Sequence, residues 1–315
     1  MKWLKKGWIF NTDGAYEWNK SHAQVPVADI LDNEIRIYYS SRDSLGKSNI
    51  SFIEVDKKDP KKIIYKHSKP ILEFGKIGTF DDSGVMPSSI VNVGSKKYLY
   101  YIGWTTKVTV PFHNAIGLAI SEDGGITFNK FSEGPIITVN YLEPYFSGTS
   151  FVILERNIFK MWYLSCVNWE VIDGKPEPIY NIKYAESING FDWHQTGNVA
   201  IELQEGEGGL VSASVIFHDE VYKMWFGKRS KKDYRNNLNN SYRIGYAESK
   251  DGFKWVRKDK NSGITISKEG WDSEMISYPF VFKINNDLIM LYNGNGFGKT
   301  GFGYAILRKD YKKEK

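Results

Sequence analysis

"YAESKDGFKW", residues 246–255, decides the fold, because the chain writes this stretch more than once. "YAESINGFDW" at 184–193 keeps the aromatic, the Ala-Glu-Ser, the turn residues and the closing Gly-Phe-x-Trp. "LAISEDGGITF" at 118–128 keeps the Ser, the Asp-Gly turn and a final aromatic. The copies stand roughly 62 to 66 residues apart. Asp and Ser side chains imitate the hydrogen bonds of a turn, and Gly takes the positive φ that such a turn needs. The stretch therefore reads as a corner between two strands, and its period as a structural repeat.

Strand signals surround each corner. Five aromatic and β-branched runs recur: "EIRIYYS" 34–40, "KYLYYIG" 97–103, "FKMWYLS" 159–165, "YKMWFGK" 222–228 and "DLIMLYNG" 287–294. Such runs, bounded by turn residues, favour a pleated surface over a helix. Each follows another strand across a tight turn, at Asp32-Asn33, Val93-Gly94, Arg156-Asn157, Asp219-Glu220 and Asn285-Asn286. A third strand comes next, as in "NIKYAES" or "RIGYAES", and the corner leads it into a fourth, such as "FKWVRK" 253–258. The pattern predicts five copies of a four-stranded antiparallel unit and no helix longer than two turns. Radial repetition of such units makes a propeller. The expected fold is all-β, a five-bladed β-propeller in one domain, 1–315, with "WLKKGWIF" 3–10 supplying the missing outer strand of the last blade.

Composition narrows the function classes. Of 315 residues, 41% are apolar and 25% charged, as in ordinary globular proteins. The net charge of +5 comes from scattered lysines, with no basic helix, so nucleic acid is not an expected partner. One cysteine, Cys166, excludes an intrachain disulfide framework and fits a reducing compartment. No stretch reads as a signal segment or a membrane span, so a cytoplasmic location and no membrane partner are expected. The final run "RKDYKKEK" reads as a solvated tail. Walker, dinucleotide and His-Glu-x-x-His motifs are absent, and "GNGFGKTGFG" 294–303 lacks Walker spacing and reads as a hairpin.

In this strand order, one face gathers the start of each first strand, the end of each second and the start of each third. Loops on a rigid scaffold concentrate function. Asp82, Glu143, Glu207 and Glu274 stand seventeen to nineteen residues ahead of the second-strand core aromatic or its equivalent. That spacing places them at equivalent points of the ring, and facing carboxylates suit acid/base chemistry on a sugar. They are the expected catalytic residues. Trp104 and Trp169 offer apolar faces for sugar stacking, while Arg42, Lys228 and Arg229 suit a phosphate or carboxylate. His22, His113, Tyr278 and Asn293 complete the expected substrate-binding set. Each of these residues also has a plain structural reading, in turn caps, surface ion pairs or packing between blades.

At this level the chain resembles the five-bladed propeller glycosidase clans: the arabinanase and xylosidase group, the fructan and sucrose hydrolases and the mannoside phosphorylases. The Ser-x-Asp-x-Gly corner also resembles the Asp-box of propeller hairpins. The resemblance implies an active site at the funnel mouth, with two or three carboxylates entering from successive inner strands. Glu143-Pro144 and Asp82 in "FDDSGVMPSS" echo the family acids. The first-blade position is "SHAQVP" 21–26, without an acid, and Met86 and Tyr278 precede prolines where the family has acids. Two functions are therefore expected in parallel. One is a carbohydrate-active enzyme that cleaves or transfers a glycosidic linkage by carboxylate acid/base chemistry, as a glycoside hydrolase, phosphorylase or transferase. The other is a non-catalytic propeller that binds carbohydrate or nucleotide-sugar. The partner is an oligosaccharide or sugar derivative; no cofactor or metal is expected, and phosphate is the candidate co-substrate.

Overall fold

The computed structural model describes residues 1–308, so the tail from residue 309 lies outside the described residues. The chain opens with strand β1 (Trp3–Phe10) and then builds four-stranded antiparallel units. The first contains β2 (Ser21–Ile30), β3 (Glu34–Arg42), β4 (Ser48–Asp56) and β5 (Ile63–Lys66). The second contains β6 (Gly84–Val93), β7 (Lys96–Thr106), β8 (Phe112–Ser121) and β9 (Asn129–Lys130). The third contains β10 (Ser147–Glu155), β11 (Ile158–Ile172), β12 (Lys175–Ser187) and β13 (His194–Ile201). The fourth contains β14 (Glu207–His218), β15 (Val221–Ser230), β16 (Arg243–Ser249) and β17 (Val256–Arg257). The last has β18 (Ser277–Ile284), β19 (Asp287–Asn293) and β20 (Phe302–Leu307), and β1 pairs antiparallel with β20 as its outer strand.

Single parallel bridges, Ser48 to Gly84 and Tyr180 to Gly209, join the first unit to the second and the third to the fourth. The first strands β2, β6, β10, β14 and β18 pack on one another in order, and β18 also packs on β2. Asn293 joins these ends directly. Its Oδ1 accepts from the Val25 N–H at 2.8 Å, and its Nδ2 donates to the Ala23 carbonyl at 2.7 Å.

The hairpin turns follow the sequence reading closely. Arg156-Asn157 and Asp219-Glu220 take positive φ at both central positions, the geometry whose twist matches a tight antiparallel hairpin. One turn sits a residue later than expected: Val93 pairs with Lys96, so Gly94-Ser95 make the bend, with Gly94 at φ 60°.

The repeated corner lies between third and fourth strands. Ser249 Oγ accepts from the Gly252 N–H at 2.9 Å, and Asp251 Oδ1 accepts from the Phe253 and Lys254 N–H groups. The glycine carbonyl then receives an aromatic donor from the preceding unit. Tyr38 Oη donates to Gly125, Tyr100 Oη to Gly190 and Trp162 Nε1 to Gly252, at 2.8 to 3.0 Å. The corner thus stitches neighbouring units together, which explains why it recurs with the unit. Trp162 and Trp225 are fully buried in the clusters between units.

Every first strand carries a bulge near its start, where the pairing register slips between Gln24 and Val27, Pro87 and Ser89, Ser147 and Ser150, Val211 and Ser214, and Ser277 and Phe280. Val25, Ser212 and Tyr278 sit there at φ of 50° to 51°. A β-branched or bulky residue in the left-handed region costs about 1–3 kcal/mol and persists only where its surroundings over-determine it. Bulges re-aim side chains. Val25 and Tyr278 turn into a central cavity.

Candidate active site

The central cavity holds about 400 Å³ and opens where the bulged starts of the first strands meet the ends of the second and the starts of the third. Its wall is aromatic and cationic. Phe112, Phe146, Tyr180, Tyr234, Tyr242, Tyr278 and Phe297 line it, together with Arg42, Arg235 and Asn114. Trp169 backs this wall, tilted or edge-on to Phe112 and Phe146 with ring centroids 5.7 Å away.

Arg42 stands at the end of β3. Its Nε donates to Gln24 Oε1 at 3.0 Å, and Gln24 Nε2 donates in turn to the Phe297 carbonyl at 2.6 Å. Among the described residues no acidic side chain forms an ion pair with Arg42, and burial pulls its guanidinium below the usual arginine range. Nearby, burial and then the Arg42 and Lys299 charges lower the His22 imidazole to about 4, so it is neutral at pH 7.

Across the cavity, Arg229 is 2% exposed. It donates from Nε to Tyr180 Oη at 2.9 Å and to the Pro178 and Ser230 carbonyls, and it lies over the rings of Tyr234 and Tyr180. Tyr180 and Tyr242 hydrogen-bond through their hydroxyls. Tyr234 Oη donates to Glu177 Oε2 at 2.8 Å, and Arg235 binds the same carboxylate.

The four expected catalytic acids lie elsewhere; none lines this cavity. Glu143, 4% exposed, accepts from Tyr163 Oη at 2.6 Å and Ser165 Oγ at 2.8 Å, with Lys183 Nζ at 3.6 Å. Glu207 is enclosed by Arg257 and Lys228; burial would raise its carboxyl, but the Arg257 hydrogen bonds outweigh it and hold it below the usual range. Asp82 caps a turn, accepting from the Gly78 N–H and Ser83 Oγ. Glu274 is exposed.

The expected equivalence of these acids needs correction. The residues that share a place are Asp81, Glu143 and Asp272, each accepting from a tyrosine twenty residues later: Tyr101, Tyr163 and Tyr292. A lysine completes each group, Lys130, Lys183 or Lys5. Asp82 and Glu274, which the sequence spacing singles out, lie just past the buried Asp81 and Asp272.

Of the expected binding residues, Arg42 and Tyr278 line the cavity, and Arg229 and Trp169 stand behind its wall. Trp104 Nε1 donates to Ser48 Oγ at 2.7 Å, tying the second unit to the first. Lys228 pairs with Glu207 and Asp259. His113 is half-buried, its imidazole lowered by burial and then by Lys107. Asn293 serves the junction of last and first units. Tyr234, Arg235 and Glu177 were missed: Tyr234 and Arg235 lie in the long loop between β15 and β16, whose path strand periodicity does not describe, and Glu177 lies at the start of β12, where it pairs with Glu170 on β11. Among the described residues, no group of three or more His, Cys, Asp or Glu is placed to hold a metal ion, and no helix is long and apolar enough to cross a membrane.

No family model matches the sequence. The Mycobacterium tuberculosis proteins "Uncharacterized protein Rv1502" (strain H37Rv) and "Uncharacterized protein MT1551" (strain CDC 1551) are each 38% identical over 309 residues, covering 98% of this chain and 99% of theirs. The chain belongs to their family. Among solved structures, this family member is similar to a thermostable family-43 glycoside hydrolase, with a TM-score of 0.68 and 15% identity, over 92% of this chain and 91% of that one. BT0996, solved as a complex with RGII, gives 0.70 and 15% identity over 96% and 91%. The Bombyx mori GH32 β-fructofuranosidase BmSUC1 gives 0.62 and 12% identity over 91% and 61%. The chain is thus all-β, with a propeller-type fold like that of these glycoside hydrolases.

Proposed function

We propose that the five four-stranded units are the blades of a five-bladed propeller, closed between its last and first blades, and that its central cavity binds a glycosyl phosphate and acts on the bond between sugar and phosphate. The observation that carries this reading is Arg42. A largely buried guanidinium without a carboxylate is costly, by several kcal/mol, unless an anion arrives to pair with it. Guanidinium geometry matches phosphate oxygens bidentately, and the aromatic wall supplies flat apolar faces of the kind that pack on sugar rings. The similar solved hydrolases lend support to a carbohydrate site in this fold, and one of these neighbours, BT0996, was solved as an RGII complex.

A second reading has its own support. The absence of the four expected acids from the cavity wall favours a propeller that binds carbohydrate or nucleotide-sugar without turnover. Product analysis decides between them. The protein is incubated with glycosyl 1-phosphates, nucleotide-sugars and neutral oligosaccharides, with and without inorganic phosphate. Release of phosphate or nucleotide from the sugar supports the first reading. Binding without products selects the second, and absence of both binding and products rejects the cavity as a carbohydrate site.

A further inference from the structure

We propose that the mouth of the cavity docks on an anionic lipid bilayer, so that the glycosyl phosphate it takes is one carried on a lipid. The identity of that substrate rests on the glycosyl-phosphate reading above; the docking itself does not.

The connections between second and third strands form the rim of the cavity. Four of them present an apolar side chain to solvent: Leu45, Val171 and Leu238 are each more than half exposed, and Val108 is fully exposed. Each stands three to seven residues from a residue that lines the cavity, namely Arg42, Pro178, Arg235 and Phe112 in the same order. The fifth connection turns its apolar residue inward, where Phe297 lines the cavity. Single exposed apolar residues are ordinary on a protein surface, but here one stands on each of four successive connections around one opening. The five hairpin turns at the other end of the strands, from Asp32-Asn33 to Asn285-Asn286, carry none at their tips.

The tips are held in place. Asp43 Oδ1 accepts from the Leu45 and Lys47 N–H groups, each at 2.9 Å. Asp173 and Gly174 take φ of 50° and 76° in the tight turn beside Val171. Arg243 donates to the Leu238 carbonyl at 2.7 Å and to the Glu274 carbonyl at 3.0 Å. An apolar side chain held in water contributes nothing to the core, whereas the boundary between headgroups and acyl chains buries it. The tips surround the opening rather than forming one patch. A protein interface needs a contiguous buried core, while a fluid bilayer admits separate tips one by one.

Charge selects an anionic surface. Lys107, Lys175, Lys232 and Lys299 stand on four of the five connections, exposed and without an acidic partner among the described residues. Glu170 and Glu177 are already paired, with Lys231 and Arg235. Asp43, Asp173 and Asp233 are the other acids of these connections, and Asp43 is committed to its turn. Glu205 and Glu274 add acids at this end from the segments entering first strands. Each lysine close to an anionic leaflet strengthens binding about fivefold. Ile126 and Ile188 are also exposed, but on corners beside Glu122, Asp123 and Asp192, which repel the same surface. The sequence expectation of no membrane partner rests on the lack of a spanning run, and docking by loop tips needs none.

Vesicle co-sedimentation of the full chain tests the docking, with phosphatidylcholine alone and with about 30% phosphatidylglycerol added. Wild type should bind the mixed vesicles, leave the neutral ones, and dissociate as salt rises from about 0.1 to 0.5 M. L45S/V108S/L238S and K107E/K232E should each lose about tenfold or more in affinity, while I188S binds as wild type does. These side chains are exposed, so the variants test the surface and not the core. No binding by wild type overturns the docking. Loss in the lysine variant with the apolar variant unchanged marks an acidic macromolecule as the partner, and overturns it too. Replacing part of the anionic lipid with an alkyl glucosyl phosphate should tighten wild-type binding more than that of R42Q; no gain for wild type rejects the lipid-carried substrate. Inorganic phosphate titration separates the two readings. Vesicle binding without phosphate binding rejects the glycosyl-phosphate reading and keeps the docking, and phosphate binding without vesicle binding does the reverse.

Discussion

Tyr163 donates its hydroxyl to Glu143 at 2.6 Å across the start of the third unit, and the same twenty-residue link joins Tyr101 to Asp81 and Tyr292 to Asp272. The link fastens the segment entering a first strand onto the second strand of the same unit. Glu143, Asp81 and Asp272 thus each anchor an entering segment.

Glu143 should therefore matter for stability. Replacing it with leucine leaves Lys183, Tyr163 and Ser165 without their buried acceptor, and removing one partner of a buried pair costs about 3–5 kcal/mol. Chemical denaturation should show that loss for E143L, while the folded fraction binds phosphate as wild type does. A folded, fully stable E143L would refute the anchoring role.

Lys5 carries the equivalent interaction in the last unit, where β1 meets Asp272 at 2.6 Å. K5A should destabilise by about 3 kcal/mol, because Asp272 is left buried and charged with Tyr292 alone. Removing residues 1–10 should be worse, since Trp3 packs edge-on against Trp225 with centroids 5.3 Å apart. Thermal and urea unfolding measure both.

His22 predicts a pH dependence. Its folded value near 4 lies below the ordinary 6.5, so the unfolded chain binds the extra proton first. Stability is then present in full above pH 6.5 and falls between about pH 6.5 and 4. H22N should flatten that part of the stability curve, measured by urea midpoints at pH 7, 5.5 and 4.5. An unchanged slope would contradict the burial of a neutral imidazole.

Gly209 predicts a steric effect. G209A puts a methyl group against the Tyr180 ring, and overpacking of this kind costs about 1–3 kcal/mol. Denaturation should record that loss together with weaker phosphate binding, because Tyr180 lines the cavity.

How far the sequence led depended on the periodicity of each part. The strands, the corners and the pairing of β1 with the last unit were legible, because alternating aromatics and Asp/Ser/Gly turns encode them locally. "YAESKDGFKW" reads as a corner in the sequence, but its role as a stitch between units, with Gly252 receiving Trp162 from the unit before, only the packing reveals. Arg42 and Tyr278 could be placed at the mouth from strand direction alone. Tyr234 and Arg235 could not, since they reach the wall through the loop between β15 and β16, which no periodicity describes. Nor could the fate of Glu143 be read, because its buried partners Tyr163 and Lys183 sit on strands whose facing side chains only the packing reveals.

The most direct test of the central claim is calorimetric titration of inorganic phosphate and glucose 1-phosphate into wild type and R42Q. The account predicts binding to wild type that weakens at least about tenfold in folded R42Q, a loss of about 1.4 kcal/mol. Equal affinity in the two proteins, or binding of neutral oligosaccharide alone, would contradict it.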